Sequence, residues 1–217
     1  MNNNNSPNKE KFSELLFSYE QKDYDKSQKL AKLITEEFPS HQLSWKILGV
    51  SLQQLGKLSE AVSANIKAVD LKVDDPEAHN NLGFSYLEAG KLKLAEKSCI
   101  NSINLNPKYA GAYNNLGIVQ KRLGELEQAE KSFKKAISLN LGFAQAYKNL
   151  STILHDLGKI EEAFESCRKA IDINPNYINA FWNLSSFSKN IKESKYWIEK
   201  CLLVDPHHLN AIFMNAA

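Results

Sequence analysis

The chain has 217 residues, of which 43% are hydrophobic, and this is enough for a core of ordinary size. Its 27 Lys and Arg residues nearly balance 25 Asp and Glu residues, so no strongly basic surface for phosphate backbones or anionic lipid is expected. These features argue against nucleic acid or a membrane as the partner. Cys99, Cys167 and Cys201 lack the spacing of a metal site or a disulfide framework. Free thiols fit a reducing compartment, which predicts a cytoplasmic protein.

The amino-terminal residues contain an Asn run and no apolar stretch. They therefore lack the hydrophobic segment that a secretory signal needs, and we expect residues 1–7 to form a disordered tail. No later apolar run approaches the roughly 20 residues that a membrane-spanning helix requires.

An internal period of 34 residues follows this tail. An offset of 34 aligns HNNLGFSYLEAGKLKLAEKS (79–98), YNNLGIVQKRLGELEQAEKS (113–132) and YKNLSTILHDLGKIEEAFES (147–166). Such a period is typical of repeat architectures. The predicted repeats are 8–41, 42–75, 76–109, 110–143, 144–177 and a shortened 178–206, and residues 207–217 begin a further repeat or form a capping helix.

Each repeat predicts two helices joined by a turn. Positions 3, 4, 7, 8, 11 and 14 of a repeat fall on one side of its first helix and are mostly apolar or small. Glycine at position 15 can adopt the left-handed conformation that ends this helix, and proline at position 32 stops the second helix. The first and sixth repeats lack this glycine. The other four repeats have it at position 15, as Gly56, Gly90, Gly124 and Gly158.

This pattern resembles the tetratricopeptide repeat over nearly the whole chain. The resemblance implies an all-α fold, a right-handed α-solenoid of about six helix-turn-helix repeats with the first helices lining a concave groove. It also implies a protein-interaction scaffold that binds an extended polypeptide in that groove. An alternative is the amino-terminal substrate-recognition arm of a larger transferase, of the glycosyltransferase or sulfotransferase type.

Residues with catalytic chemistry form no constellation in the sequence. The five histidines are scattered, and no Cys, Asp or Glu recurs with them in a ligand spacing. We therefore expect no cofactor, no metal and no catalysis by this chain alone. The expected partner is a protein or peptide, and self-association is left open.

Position 6 carries an asparagine in four repeats, although asparagine inside a helix costs up to about 0.7 kcal/mol relative to alanine. An amide can bond the N–H and the C=O of a peptide main chain together, which predicts a peptide-binding ladder. The alternative is that these amides tie neighbouring repeats to each other. The residues are Asn81, Asn115, Asn149 and Asn183.

The sequences NNLG and KNLS are similar to the concave asparagine series of O-linked N-acetylglucosamine transferases, where such residues hold substrate main chain. That resemblance favours the ladder. A carboxylate clamp, which needs cations at position 6, is disfavoured. Supporting groups are expected at position 5, with Asn80, Asn114, Lys148 and Trp182, and at positions 12 and 13, with Lys121, Arg122, His155 and Asp156.

Overall fold

A computed structural model describes residues 7–215, and within that range it contains thirteen helices and no strand. This confirms the all-α prediction. Six helix pairs, one in each predicted repeat, are followed by α13. The helices are α1 Lys9–Glu20, α2 Tyr24–Glu37, α3 Gln42–Gln54, α4 Leu58–Leu71, α5 Pro76–Glu88, α6 Leu92–Leu105, α7 Ala110–Arg122, α8 Leu126–Leu139, α9 Ala144–Asp156, α10 Ile160–Ile173, α11 Ile178–Phe187, α12 Ile191–Val204 and α13 Leu209–Asn215.

The chain divides into two compact units, with the boundary between Asn115 and Leu116 inside α7. The predicted amino-terminal tail lies outside the described residues, apart from residue 7. None of the described helices is long and apolar enough to cross a membrane.

The core of the first unit is built from small and branched apolar residues that the 34-residue pattern places inward. Leu15, Ala31 and Ile34 are fully buried, and they pack with Leu48 and Leu52 from the next pair. One hairpin cannot cover its own apolar face, so the core forms only when neighbouring pairs stack. This stacking also fixes the positions of the first helices relative to each other within the unit.

The turn inside each of the first five pairs contains a residue in the left-handed conformation. The glycines at position 15 have φ angles of 73°, 71°, 80° and 74°, which confirms the sequence prediction. Lys22 occupies position 15 of the first repeat and has a φ of 58°. The backbone therefore keeps this geometry where glycine is missing, at an energetic cost to lysine.

In the second unit, the two helices of a pair approach closely where position 8 faces position 24. Phe133 is 1% exposed, and a Cβ added to Gly117 would lie 2.7 Å from its ring. Leu150, Ile153 and Leu154 of α9 complete this cluster. Glycine at position 117 is therefore required by packing.

The sixth repeat is shorter because its first helix loses its last turn. Helix α11 has 10 residues, whereas α9 has 13. A new amino-terminal cap appears at Asn190, whose side chain accepts a hydrogen bond from the Glu193 N–H at 2.9 Å. Ile198 of α12 is 1% exposed and packs in a cluster with Ala211 of α13. The end of the core therefore includes α13 as well as α12.

Candidate functional site

The asparagines at position 6 of the first unit have different environments. The Asn115 Nδ2 donates to Asn80 Oδ1 at 2.9 Å, which links neighbouring first helices. Asn81 is half-buried and makes no side-chain hydrogen bond with any described residue. The neighbours at position 5, Asn80 and Asn114, are only 8% and 3% exposed. The geometry indicates that the Asn115 amide holds neighbouring repeats together. Asn80 and Asn114 are too buried to offer much surface to a ligand.

Asn81 lines a cleft of about 240 Å³ that we call the first cleft. It lies on one face of α1, α3 and α5, so three successive first helices contribute to it. Its walls are largely apolar and also include charged side chains. The lining residues are Leu16, Tyr19, Glu20, Leu43, Lys46, Ile47, Val50, Glu77 and Asn81.

Lys46 is the cation of the first cleft, and internal carboxylates neutralise it. Its side chain is 10% exposed, and its Nζ donates to Asp75 Oδ2 at 3.2 Å and to Glu77 Oε2. Burial acts to lower the pKa of Lys46, but hydrogen bonds and charges from the two carboxylates outweigh it and raise the pKa. Asp75 also caps α5 and accepts a hydrogen bond from Gln42 at 2.8 Å. Lys46 therefore links the second repeat to the third through its ion pairs.

In the second unit, Asn183 also bonds to the preceding repeat. Its Nδ2 donates to Ser151 Oγ at 3.3 Å and to Thr152 Oγ1 at 3.2 Å. Trp182, at position 5, is half-buried with its ring 5.6 Å from that of His208. Both residues thus contact other parts of the repeat array. The Asn183 amide, like that of Asn115, links its repeat to the preceding one.

Asn149 lines a cleft of about 320 Å³ that we call the second cleft. Residues of α7 and α9 form its walls, and Phe133 of α8 lies at its base. Four of the residues predicted from the sequence meet here, namely two lysines, an arginine and Asn149. The lining residues are Ile118, Lys121, Arg122, Phe133, Gln145, Lys148, Asn149 and Thr152.

Lys148 is half-buried in the second cleft, and none of the described carboxylates forms an ion pair with it. Its pKa is lowered, mainly because burial disfavours the charged form and also because the Lys121 charge is close. Lys121 lies 3.9 Å from Asp156, and both side chains are about 40% exposed. Exposed pairs of this kind contribute little, about 0–1 kcal/mol. The Lys121–Asp156 pair therefore adds little to the stability of the chain.

His155 lies outside the second cleft. Its ring stacks on Phe187 with the centroids 4.2 Å apart, and its Nδ1 lies 3.8 Å from Asp156. Of the groups predicted at positions 12 and 13, Lys121 and Arg122 line the second cleft.

The described histidines, cysteines and acids do not cluster as metal ligands, and the three cysteines are buried. No group of three or more His, Cys, Asp or Glu residues in the part of the chain that the structure describes could hold a metal ion. Burial raises the pKa of the Cys99 thiol to about 12 and that of Cys167 to about 11. These cysteines are core residues rather than nucleophiles.

Family models of the tetratricopeptide repeat match residues 76–109, 110–142 and 144–177, and a TPR repeat model matches residues 49–90. Together the matches extend over more than half of the chain. The chain belongs to the tetratricopeptide repeat family. These models describe the repeat in general, so the finer resemblance to O-linked N-acetylglucosamine transferases stays a prediction. No curated protein matches the chain significantly.

Several solved structures have the same fold as this chain. A chain of the APC/C hetero-tetramer Cut9-Hcn1 has a TM-score of 0.84 at 16% identity, over 93% of this chain and 41% of its own length. PilW, a type IV pilus biogenesis factor, has a TM-score of 0.82 at 17% identity, over 95% and 99%. YrrB, described as having an unusual peptide-binding site, has a TM-score of 0.61 at 18% identity, over 86% and 98%. This chain thus spans less than half of the Cut9-Hcn1 chain that it matches.

The repeat register explains which lining residues sequence reasoning missed. The search for supporting groups used positions 5, 12 and 13 of the later repeats only. Applied to the first two repeats, the same positions give Tyr19, Glu20 and Lys46 in the first cleft. Positions 2 and 9 supply further lining residues in both clefts, including Gln145 and Thr152. The signal was present in the 34-residue period, because equivalent residues occupy equivalent places on successive helices.

Proposed function

We propose that this chain is a protein-interaction scaffold that binds an extended polypeptide on the face formed by its first helices. One observation carries the proposal. Both clefts are formed by positions 9, 12 and 13 of one first helix and positions 2, 5, 6 and 9 of the next. The repeat therefore gives each unit a cleft built from equivalent positions, and each cleft can hold a stretch of polypeptide.

The size of the clefts favours a peptide over a small cofactor. Their volumes of about 240 and 320 Å³ are at or below the lower end of the 300–1,000 Å³ typical of small-molecule pockets. Such clefts accommodate one or two side chains of a longer ligand. Leu43 and Val50 in the first cleft and Ile118 in the second provide apolar contacts for them.

Asn81 is the group best placed to bind main chain. Its amide offers a donor and an acceptor, and it makes no side-chain hydrogen bond with a described residue. Asn149 has the same repeat position and lines the second cleft, where its counterpart in the first cleft is Ile47. The proposal therefore assigns the main-chain contact to Asn81, since Asn115 and Asn183 bond to the preceding repeats.

The comparisons support a binding role of this general kind. The YrrB structure is described by its peptide-binding site, and the Cut9-Hcn1 structure is a hetero-tetramer. Their identity to this chain is 18% and 16%, respectively, so the support is limited to the fold.

A peptide-selection experiment tests the proposal. Peptides selected from a random library on the full chain should lose about five-fold or more in affinity with Asn81→Ala, because one or two bonds worth about 0.5–1.5 kcal/mol each are lost. The control is Asn101→Ala, which removes a half-buried amide from the middle of the second helix α6. Equal affinities for the two variants would refute the role of Asn81, and failure to select any peptide would refute the scaffold function.

A further inference from the structure

A groove lies between the second helices α2 and α4 of the first unit, and we call it the second-helix groove. Its volume is about 500 Å³, which is larger than that of either cleft. Trp45, Leu48 and Leu52 of α3 provide its largest apolar side chains. The Trp45 Nε1 donates a hydrogen bond to the Pro39 carbonyl oxygen at 2.9 Å, which holds the ring in place. None of the three apolar residues lines the first cleft, so α3 presents separate faces to the groove and to the cleft.

Short side chains keep the second-helix groove open. Positions 18 and 22, which line it from α4, are Ser59 and Ser63, whereas the next three repeats have a lysine or a glutamate at both positions. Position 28, which lines it from α2, is Thr35, whereas the second to fifth repeats have valine or isoleucine there. Long charged side chains on a helix cover apolar surface, so the serines leave the apolar part of this groove uncovered.

The same two helices expose further aliphatic groups. Leu33 of α2 is 51% exposed, and Ile66 of α4 is 37% exposed. These residues stand at positions 26 and 25, where both α8 and α10 of the second unit have a lysine or an arginine. Apolar groups exposed beside an open apolar groove are typical of a surface that binds another protein.

Four charged side chains line the groove, one lysine and one glutamate on each wall. Lys32 and Glu36 belong to α2, and Glu60 and Lys67 belong to α4. All four are exposed, and none of their side chains forms an ion pair or a hydrogen bond with a described residue. The walls have no net charge, which argues against nucleic acid and anionic lipid, since both bind to cationic surfaces. The complementary partner is a protein segment with an apolar stripe and with both signs of charge beside it.

The two walls lie in register. Lys57 Nζ donates to Gln28 Oε1 at 2.8 Å, and these residues lie at the start of α4 and in the first half of α2. The lysine of one wall therefore lies toward the same end of the groove as the glutamate of the other wall. Neither of these two pairs closes across the groove, so all four charges remain available to a partner.

The shape and chemistry of the groove favour a helix over an extended peptide. From Gln28 to Glu36 the α2 wall is about 12 Å long, because a helix rises about 1.5 Å per residue. Apolar residues at i, i+3 or i+4, and i+7 of a helix span about 10 Å, so one such stripe fits the groove. An extended chain would need partners for its main-chain hydrogen bonds, whereas a helix satisfies its own. The Ser63 hydroxyl already donates to the Ser59 carbonyl oxygen at 3.1 Å.

We infer that the second-helix groove binds an amphipathic helix of a partner protein, with the apolar stripe of that helix against Trp45, Leu48 and Leu52. Acidic and basic residues beside the stripe meet the lysines and glutamates of the two walls. The groove uses other residues than the clefts do, so this site goes beyond the proposed function and does not depend on it.

The test uses a substitution that other repeats already contain. Ser63→Lys introduces the residue that the third and fourth repeats have at position 22, so the chain should fold normally while the long side chain covers the groove. Cross-linked helical peptides selected from a random library on the full chain should contain the apolar stripe with both acids and bases beside it. Their affinity should fall about tenfold or more with Ser63→Lys, because at least one apolar side chain no longer becomes buried.

Ser138→Lys on α8 is the matched control and should retain affinity. Both serines are exposed, and each hydroxyl donates to a carbonyl oxygen of its own helix. In ¹⁵N spectra, the indole N–H signal of Trp45 should shift on binding, while that of Trp197 in the second unit should not.

Three results would overturn the inference. One is a selection that yields no peptide with the stripe, and another is equal affinity for Ser63→Lys and Ser138→Lys. The third is a dimer of the full chain, detected by analytical ultracentrifugation, that Ser63→Lys abolishes, because the occupant of the groove would then be a second copy rather than a partner helix.

Discussion

The two position-6 asparagines of the first unit should respond differently to the same substitution. Asn115→Ala removes the 2.9 Å hydrogen bond to Asn80 Oδ1, and Asn80 is only 8% exposed. Asn81→Ala removes an amide that bonds to no described side chain. Because both substitutions replace asparagine by alanine inside a helix at one repeat position, each serves as the control for the other.

The magnitudes follow from these contacts. A buried acceptor left without its partner costs about 1–3 kcal/mol, while alanine regains up to about 0.7 kcal/mol of helix propensity. Asn115→Ala should therefore lower the free energy of unfolding by about 0.5–2 kcal/mol. Asn81→Ala should leave it unchanged or raise it slightly. For a chain of this length, 1 kcal/mol corresponds to about 2–4 °C in Tm.

Urea unfolding followed by circular dichroism measures both variants, with the slope of the transition compared to check that the unfolding unit is unchanged. An Asn80→Ala, Asn115→Ala cycle then isolates the coupling between the two side chains, which should be at least about 0.5 kcal/mol. If Asn115→Ala proved as stable as Asn81→Ala and the cycle showed no coupling, the tie between repeats would be refuted.

Three further predictions concern the fold. Lys22→Gly should raise the free energy of unfolding by about 0.5–1 kcal/mol, because glycine avoids the strain of a φ of 58°; a lower urea midpoint would contradict this. Gly117→Ala should cost about 1–3 kcal/mol, since its Cβ would lie 2.7 Å from the Phe133 ring, and unchanged stability would show that the ring moves freely. Cys99 and Cys167, with thiol pKa values raised to about 12 and about 11, should resist alkylation at pH 8 until urea unfolds the chain, and rapid native labelling would show that they are accessible.

The fold could be predicted from the sequence because the same residue types recur at the positions that form the turns and the buried faces of the helices. Glycine at position 15 predicted the left-handed turn, and the apolar or small residues on one side of each first helix predicted its buried face. Lys22 shows the limit of this reasoning, since nothing in a lysine indicates the positive φ that the stacked pair imposes on it. Packing of the first helix pair sets the φ angle of Lys22, and its backbone is strained as a result.

The site could be predicted only in part, because equal residues have unequal neighbours. The tie depends on position 5 of the preceding repeat. Asn80 stands there for Asn115 and accepts its hydrogen bond, whereas Lys46 stands there for Asn81 and bonds to acids instead. For Asn183, position 5 of the preceding repeat is Lys148, and the amide donates hydrogen bonds to Ser151 and Thr152 instead. A single-position pattern contains no information about such pairs.

The central claim, that the first-helix clefts bind a polypeptide, is tested most directly by nuclear magnetic resonance of the side-chain amides. The full chain, labelled with ¹⁵N, would be titrated with a peptide selected on it. The NH₂ signals of Asn81 and Asn149, which line the clefts, should shift in a saturable manner, while that of Asn101 on α6 should not. Saturable binding that leaves the Asn81 and Asn149 signals in place would contradict the account.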